Sequence, residues 1–201
     1  MKLYYSPGAC SLSPHIVLCE AGLPHQLIKV DLKAGTIEGD GDFRAVNPKG
    51  YVPTLETADG DVITEGPAIV QYLADLAPGK GLAPAAGTLA RVRLQEWLNF
   101  IATEVHKGFG PLFRNAPAEW QTVVRDLLAR RFAFIAATLD KQPYLLGEQF
   151  SVADAYLFTV LNWCKWVKID LAPWPALGAY LARVATRPAV QQALKKEGLI
   201  Q

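Results

Sequence analysis

The thiol of Cys10 is the group in this sequence with the clearest chemical potential. Cys10 follows a short predicted strand and the turn Ser6-Pro7-Gly8, and it lies at the first turn of the next predicted helix. Free N–H groups and the positive end of the helix dipole stabilise a thiolate at such a position. Cys10-Ser11-Leu12-Ser13 is a Cys-x-x-Ser pattern, which lacks the second thiol of a Cys-x-x-Cys redox motif. The pattern predicts a reactive thiol rather than only a small buried hydrophobe.

Two further pairs of residues suit the binding of a small peptide. Pro53 stands directly before a predicted strand, where a trans proline would obstruct pairing. We therefore expect a cis Val52–Pro53 bond that exposes the backbone of Val52 to a peptide-like ligand. Gly66 begins the next predicted helix, whose N–H groups suit a carboxylate, while Glu65 suits an ammonium group. With Cys10, these residues predict a site for a zwitterionic peptide that carries a thiol.

The remaining cysteines and histidines indicate structural roles. The chain has three cysteines, an odd number that argues against a disulfide framework. Cys19 and Cys164 lie within apolar helical patterns, so we expect them in the core. No second cysteine or close pair of histidines provides metal-ligand spacing, and we predict no metal site. His15 and His25 are expected to be structural or exposed.

The elements that must position these residues differ between the two halves of the chain. The first half predicts an α/β domain in the order strand, helix, strand, irregular segment, strand, strand, helix, which resembles the thioredoxin fold. The second half predicts helices almost throughout, one of them starting at a capping box, Ser151-Val152-Ala153-Asp154. We expect a thioredoxin-like domain over 1–77, a proline- and glycine-rich linker over 78–86 and an all-helical domain over 87–201.

Composition excludes several classes of partner. The chain has 201 residues, and its 20 basic against 19 acidic residues leave a net charge of +1. This balance provides no electrostatic attraction for nucleic acid or for an anionic membrane. No stretch reaches the roughly 20 apolar residues that span a bilayer, and the N-terminus lacks the apolar region of a signal peptide. We expect a cytoplasmic protein.

Five segments distributed along the chain resemble the bacterial beta class of glutathione S-transferases, and the similarity covers essentially the whole chain in one register. This resemblance implies an N-terminal thioredoxin-like domain followed by an all-helical domain, and a homodimer. It also implies glutathione as co-substrate, with no tightly bound cofactor and with a small apolar electrophile as acceptor. The segments are 2–12, 46–53, 64–69, 97–109 and 151–158.

The resemblance also implies roles for individual residues. Cys10 would lie beside the glutathione sulfur and can form a mixed disulfide with it. Val52 would bind the cysteinyl backbone, and Glu65 with Gly66 the γ-glutamyl end. His106 would face the thiol region from the helical domain as the second catalytic residue. The remaining binding residues would be Asn99 from the neighbouring subunit, Thr103, Glu104, Val105 and Lys107.

Two positions depart from the family pattern, and both bear on glutathione binding. Gly35 stands where family members can offer a lysine to the glycyl carboxylate, and Lys33 is a nearby alternative. Gly66 provides an N–H group but not the hydroxyl found in many relatives.

Three functions therefore remain open from the sequence. Transfer of glutathione to an apolar electrophile leads. Disulfide reduction or reductive dehalogenation through Cys10 is the second, and a non-catalytic interaction module is the third.

Overall fold

The computed structural model describes residues 1–38 and 41–201. The described chain forms two compact units, one made of Met1–Ala83 with Arg187–Gln201 and the other of Pro84–Thr186. In this division the last segment groups with the first unit, whereas the sequence analysis placed it in the helical domain. The boundaries expected at residues 77 and 86 stay predictions.

The first unit contains a mixed sheet built on a buried central strand. Its strands are β1 Lys2–Tyr5, β2 Gln26–Asp31, β3 Thr36–Ile37, β4 Gly41–Asp42, β5 Thr54–Glu56 and β6 Val62–Thr64. Their order across the sheet is β4-β3-β2-β1-β5-β6. β1 pairs in parallel with β2 and antiparallel with β5. The parallel pair requires a crossover, and helix α1, Leu12–Ala21, provides it.

Three longer helices belong to this unit together with the sheet. α1 ends at Gly22, which adopts the left-handed conformation that glycine allows without strain. After the short helix α2, Phe43–Val46, and the β5–β6 hairpin, α3 spans Gly66–Asp75. The chain returns at its end with the final helix, Pro188–Lys196, which packs on α1. A bidentate ion pair of Arg187 with Glu20, at 2.6 and 2.9 Å, fixes its start.

The second unit is helical, as the sequence predicts. Its helices are α4 Leu89–Phe100, α5 Gly110–Phe113, α6 Ala118–Leu139, α7 Val152–Leu161 and α8 Pro175–Ala185, and we number the final helix of the chain α9. All ten residues of α7 are buried, so this helix forms the centre of the unit. Among the described residues, no helix has the length and apolar character needed to cross a membrane.

Candidate active site

Cys10 lies in the turn that joins β1 to α1. The structure places it two residues before Leu12, where the helix begins, rather than within the first helical turn as the sequence predicts. Its thiol lies 3.1 Å from the carbonyl oxygen of Val52, to which it donates a hydrogen bond. The Ser11 hydroxyl donates to the carbonyl of Ser6 at 3.2 Å and so ties the two ends of the turn together.

The loop before β5 holds Val52 in place. Val52 is 4% exposed, and its peptide bond to Pro53 is cis, which confirms that expectation. The buried amide of Asn47 donates to the carbonyl of Tyr51 and to the Thr54 hydroxyl, both at 2.9 Å. Because these acceptors flank Val52 on either side, Asn47 fixes the course of the loop. Asn47 belongs to the segment 46–53 that resembles the family, but its position in the sequence does not indicate this positioning role.

Glu65 stands at the junction of β6 and α3 with a φ of 68°. Positive φ is uncommon for a residue with a side chain, and such conformations cluster at functional sites. Its Oε1 atom accepts hydrogen bonds from Lys49 Nζ at 2.6 Å and from the Tyr51 hydroxyl at 2.7 Å. The carboxylate therefore already engages an ammonium group, and its hydrogen bond raises the pKa of Lys49.

The four candidate residues of the first unit lie around one loop. Cys10 contacts Val52 directly, and Glu65 contacts Tyr51, the residue before Val52. A Cβ atom at Gly66 would lie 3.7 Å from Pro53 Cγ, so the start of α3 packs against the same loop. The β1–β5 pairing brings Cys10 close to Val52, and the β5–β6 pairing brings Glu65 and Gly66 to the same loop.

The region of Gly35 holds a cation that the sequence analysis missed. Gly35 has a φ of +73°, and a Cβ atom there would lie 3.6 Å from Arg44 Nη1. Across the guanidinium, a Cβ atom at Gly50 would lie 3.3 Å from Arg44 Nε. The two glycines leave room for this side chain. No periodicity or motif in the sequence connects Arg44 with Gly35, because the contact depends on tertiary packing.

In the second unit, α4 runs into a π-helix, Ile101–His106, which carries most of the remaining candidates. π-helical turns are rare and frequently occur at functional sites. Thr103 and Glu104 are exposed on it, as are Asn99 before it and Lys107 directly after it, whereas Val105 is completely buried. Val105 therefore belongs to the core, and none of its surface, backbone included, is open to a ligand in this structure. Glu104 is held by two hydrogen bonds from the Arg131 guanidinium, at 2.6 and 2.9 Å.

His106 lies between two aromatic residues that the sequence did not identify as its partners. Its Nδ1 atom shares a hydrogen bond of 2.6 Å with the Tyr156 hydroxyl, and its ring packs edge-on against Trp163 at 4.8 Å between centroids. Burial, with a smaller contribution from Lys107, lowers the pKa of His106 to about 4. The imidazole is therefore neutral near pH 7 and can accept or donate a hydrogen bond through its ring nitrogens.

The other two thiols are poor nucleophiles at neutral pH. None of the three cysteines, all of them within the described residues, forms a disulfide. Burial raises the pKa of Cys19 to about 11 and that of Cys164 to about 12. The thiolate is the reactive form, so neither competes effectively for an electrophile or a disulfide.

Asp154 is a structural carboxylate, as the capping-box pattern predicts. It is completely buried and accepts hydrogen bonds from the N–H and the hydroxyl of Ser151, at 2.9 and 2.7 Å. A third hydrogen bond arrives from the N–H of Leu145 at 2.9 Å. These contacts fix the start of α7 and leave Asp154 no role as a catalytic acid.

Comparison with known proteins agrees with this arrangement. The family model described as glutathione S-transferase, N-terminal domain, matches residues 8–76, and the corresponding C-terminal domain model matches residues 100–188. Glutathione S-transferase GstA of Escherichia coli O157:H7 is 47% identical over 200 residues, which cover 99% of this chain and 100% of that protein.

Two solved structures extend the likeness to three dimensions. A sphingomonad glutathione S-transferase complexed with glutathione is 47% identical, with a TM-score of 0.94 and full coverage of both chains. A beta-class glutathione S-transferase of Sphingomonas chungbukensis is 45% identical, with a TM-score of 0.96 and the same full coverage.

Proposed function

This chain belongs to the glutathione S-transferase family, and from that premise we propose that Cys10, Val52, Glu65 and Gly66 form its glutathione-binding surface in the first unit. The protein is an enzyme that transfers glutathione, its co-substrate, to electrophiles. The observation that carries the assignment of residues is the 3.1 Å contact between the Cys10 thiol and the Val52 carbonyl. A cysteinyl backbone paired with Val52 places its sulfur within reach of Cys10.

At the γ-glutamyl end, Glu65 and the start of α3 provide opposite charges. Glu65 already accepts a hydrogen bond from the Lys49 ammonium, which stands in for the α-ammonium of glutathione. The N–H of Gly66 at the start of α3 suits the α-carboxylate, because it lies at the positive end of the helix dipole. Pro67 has no N–H, and the Ala68 N–H already donates to the Glu65 carbonyl at 3.0 Å.

At the glycyl end, Arg44 takes the place of the lysine that family members offer from position 35. Its guanidinium lies beside Gly35 and suits a carboxylate through paired N–H groups. The test is to titrate glutathione into Arg44→Ala, which should bind roughly fivefold to tenfold more weakly. Lys33→Ala is the matched control and should bind as the wild type does. The reverse order of effects would assign the glycyl carboxylate to Lys33.

In the second unit, the proposal assigns binding to Asn99, contributed by the neighbouring subunit of a homodimer. His106 is assigned to the reacting thiol, where its neutral imidazole accepts or donates a hydrogen bond. Thr103, Glu104 and Lys107 contribute side chains, and the completely buried Val105 supports them from the core. The three cysteines form no disulfide, which suits the reducing cytoplasm, and we propose the cytoplasm as the location.

Two activities use this site, and the position of Cys10 favours adding thiol–disulfide exchange to transfer. In transfer, the glutathione thiolate attacks the electrophilic carbon and displaces the leaving group. In exchange, the Cys10 thiolate attacks the glutathionyl sulfur of a mixed disulfide, and the substrate sulfur leaves as a thiolate that takes up a proton. A second glutathione thiolate then attacks the Cys10 disulfide and regenerates the Cys10 thiolate, releasing glutathione disulfide.

The experiment compares an aryl halide with a mixed disulfide at saturating glutathione. We expect Cys10→Ala to abolish exchange and the Cys10–glutathione adduct while aryl transfer persists. His106→Ala should slow both reactions on the order of a hundredfold.

Cys164→Ala is the control for loss of a thiol and should leave both rates unchanged. Full exchange activity in Cys10→Ala, or capture of glutathione by Cys19, would overturn the assignment of the reactive thiol.

A further inference from the structure

A second cluster of reactive side chains lies on α1 and on the segment that follows it, and it includes none of the proposed glutathione-binding residues. His15 and Cys19 stand four residues apart and therefore share one face of the helix. His25 follows in the segment that leads to β2, and its ring meets the ring of His15 edge-on, at 5.5 Å between centroids and 75° between planes. One ligand atom from each of the three residues lies within 4.8 Å of the others.

Each imidazole has an oxygen partner on Nδ1, as metal-bound histidines typically do. His15 Nδ1 lies 2.8 Å from the carboxylate of Glu197, and His25 Nδ1 lies 2.8 Å from the carbonyl of Leu23. An oxygen acceptor on Nδ1 holds the proton there and leaves the lone pair on Nε2, which is the orientation typical of metal-bound histidines. Glu197 is fixed in turn by the N–H of Gly8 at 2.9 Å.

The two Nε2 atoms have no hydrogen-bond partner within residues 1–38 and 41–201, although both are buried. His15 is completely buried, so its lone pair is also shielded from solvent. An unpaired buried polar atom is costly, and each such atom in a native structure requires an explanation. A bound cation would satisfy both atoms at once.

We propose that His15, Cys19 and His25 bind a transition-metal ion of the zinc type. Two imidazole nitrogens and one thiolate form a donor set that suits Zn²⁺, whereas Mg²⁺ and Ca²⁺ require oxygen ligands. Zinc–ligand bonds of about 2.0–2.3 Å need donor atoms about 3.5 Å apart. The donor atoms, now within 4.8 Å of one another, must therefore close to about that separation when the ion binds. Cys19 and His25 are both partly exposed, so water completes the fourth position.

Some of the charged groups around the cluster favour a bound cation, and others oppose it. The Cys19 thiolate, formed when its proton passes to solvent, and the Glu197 carboxylate together balance a divalent ion. Lys196 and the N-terminal amino group lie close enough to oppose it. Glu20, also nearby, is engaged by Arg187. We therefore expect weaker binding than in closed structural zinc sites.

This proposal departs from the sequence analysis, which predicted no metal site. The four-residue spacing of His15 and Cys19 on a helix was the available signal. This signal was insufficient because the third ligand, His25, is brought close to His15 and Cys19 only by the turn after α1.

The test uses the untagged, metal-free protein and Co²⁺ as a spectroscopic substitute for zinc. We expect one equivalent of Co²⁺ to produce d–d absorption and a thiolate-to-cobalt charge-transfer band, both abolished by Zn²⁺. Cys19→Ser should lose the charge-transfer band, and both Cys19→Ser and His25→Gln should weaken binding at least tenfold. Zinc should raise the melting temperature of the wild type but not that of Cys19→Ser.

Two controls separate this site from the other thiols. Cys164→Ser and Cys10→Ser should both keep the band and the stoichiometry. Retention of the band in Cys19→Ser, its loss in Cys10→Ser, or no saturable binding by the wild type would overturn the proposal. Far-ultraviolet circular dichroism of each metal-free variant verifies that it is folded.

Discussion

At the scale of single residues, His106 combines a functional position with an unusual protonation state. Its imidazole contacts the Tyr156 hydroxyl and the Trp163 ring, and burial lowers its pKa to about 4. A histidine in an unfolded chain has a pKa near 6.5. The folded protein therefore favours neutral His106. The stability that this preference contributes is fully present above pH 6.5 and is lost as the pH falls through about 4.

Replacing His106 by alanine should therefore flatten the dependence of stability on pH. We expect the free energy of unfolding of the wild type to fall by about 3 kcal/mol more than that of His106→Ala between pH 7 and pH 4. Urea unfolding at several pH values measures both curves. His25→Gln is the comparison variant, because burial lowers the pKa of His25 as well. Parallel curves for wild type and His106→Ala would show that His106 titrates normally in the folded state.

At Gly66 the enzyme lacks a side chain that could contact glutathione, although the surrounding fold has room for one. A Cβ atom there would make an ordinary contact with Pro53 Cγ at 3.7 Å, and the φ of Gly66 lies outside the left-handed region. A serine should therefore fit at the start of α3 without strain and offer its hydroxyl to the γ-glutamyl carboxylate.

We expect Gly66→Ser to bind glutathione roughly fivefold more tightly, because one added hydrogen bond typically contributes about 1 kcal/mol. Isothermal titration measures the change. Gly79→Ser is the control, since Gly79 also has open space around it and should leave the affinity unchanged. An affinity for Gly66→Ser equal to or below that of the wild type would place the carboxylate elsewhere.

The sequence identified the residues of the site more readily than the contacts among them. Cys10, Val52 and Glu65 were recognisable because each stands at a strand–helix or loop–strand boundary, where local chemistry predicts a role. The roles of Arg44 and Tyr156 were not recognisable from the sequence. Arg44 meets Gly35 only through tertiary packing, and Tyr156 stands 50 residues from its partner His106. Such contacts depend on tertiary packing, which leaves no periodic signal in the sequence.

At the scale of elements, the strands and helices of both halves were predictable to within a few residues, and the departures have local causes. The strands β3 and β4 have two residues each, too short to show alternation. The sequence predicts one helix over 89–107, but the structure changes to a π-helix at Ile101. An extra residue in a helical turn does not interrupt the apolar pattern, so hydrophobic periodicity does not detect it.

The helix α9 shows what amphipathic patterning leaves undetermined. Its buried residues Val190, Ala193 and Leu194 form one apolar face, which the sequence shows clearly. That pattern requires a partner surface without specifying which one. The structure supplies α1 as the partner, with the Arg187–Glu20 ion pair at the start of α9.

A core substitution in α9 should accordingly destabilise the first unit. We expect Val190→Ala to lower the free energy of unfolding by about 2 kcal/mol, because Val190 is completely buried. Gln192→Ala, on the exposed face of the same helix, should change it by less than about 0.5 kcal/mol. Labelling with a thiol reagent, read by mass spectrometry, locates the effect. Cys19 should react faster in Val190→Ala and Cys164 should not, and faster reaction of Cys164 alone would contradict the packing of α9 on α1.

At the scale of the whole molecule, the second unit exposes an aromatic cluster that suits a subunit interface. Trp97, Phe100 and Phe134 pack together with ring centroids 5.2–5.9 Å apart. Phe134 is nevertheless 56% exposed, and Val92 on the neighbouring α4 is 48% exposed. Contiguous apolar surface of this kind marks an interaction site. A second copy of the chain is the partner that the proposed role of Asn99 requires.

We therefore expect the wild type to sediment as a dimer at micromolar concentration. Phe134→Lys should sediment as a monomer, because a buried unpaired charge at the centre of an interface is costly. Glutathione affinity should fall together with dimerisation, since the monomer lacks the partner's contribution from Asn99. Trp166→Lys is the matched control, because Trp166 is 46% exposed and lies outside the aromatic cluster. It should remain dimeric with unchanged affinity. A monomeric wild type would remove Asn99 from the site, whereas a monomeric Phe134→Lys with full affinity would retain the interface and reject only the role of Asn99.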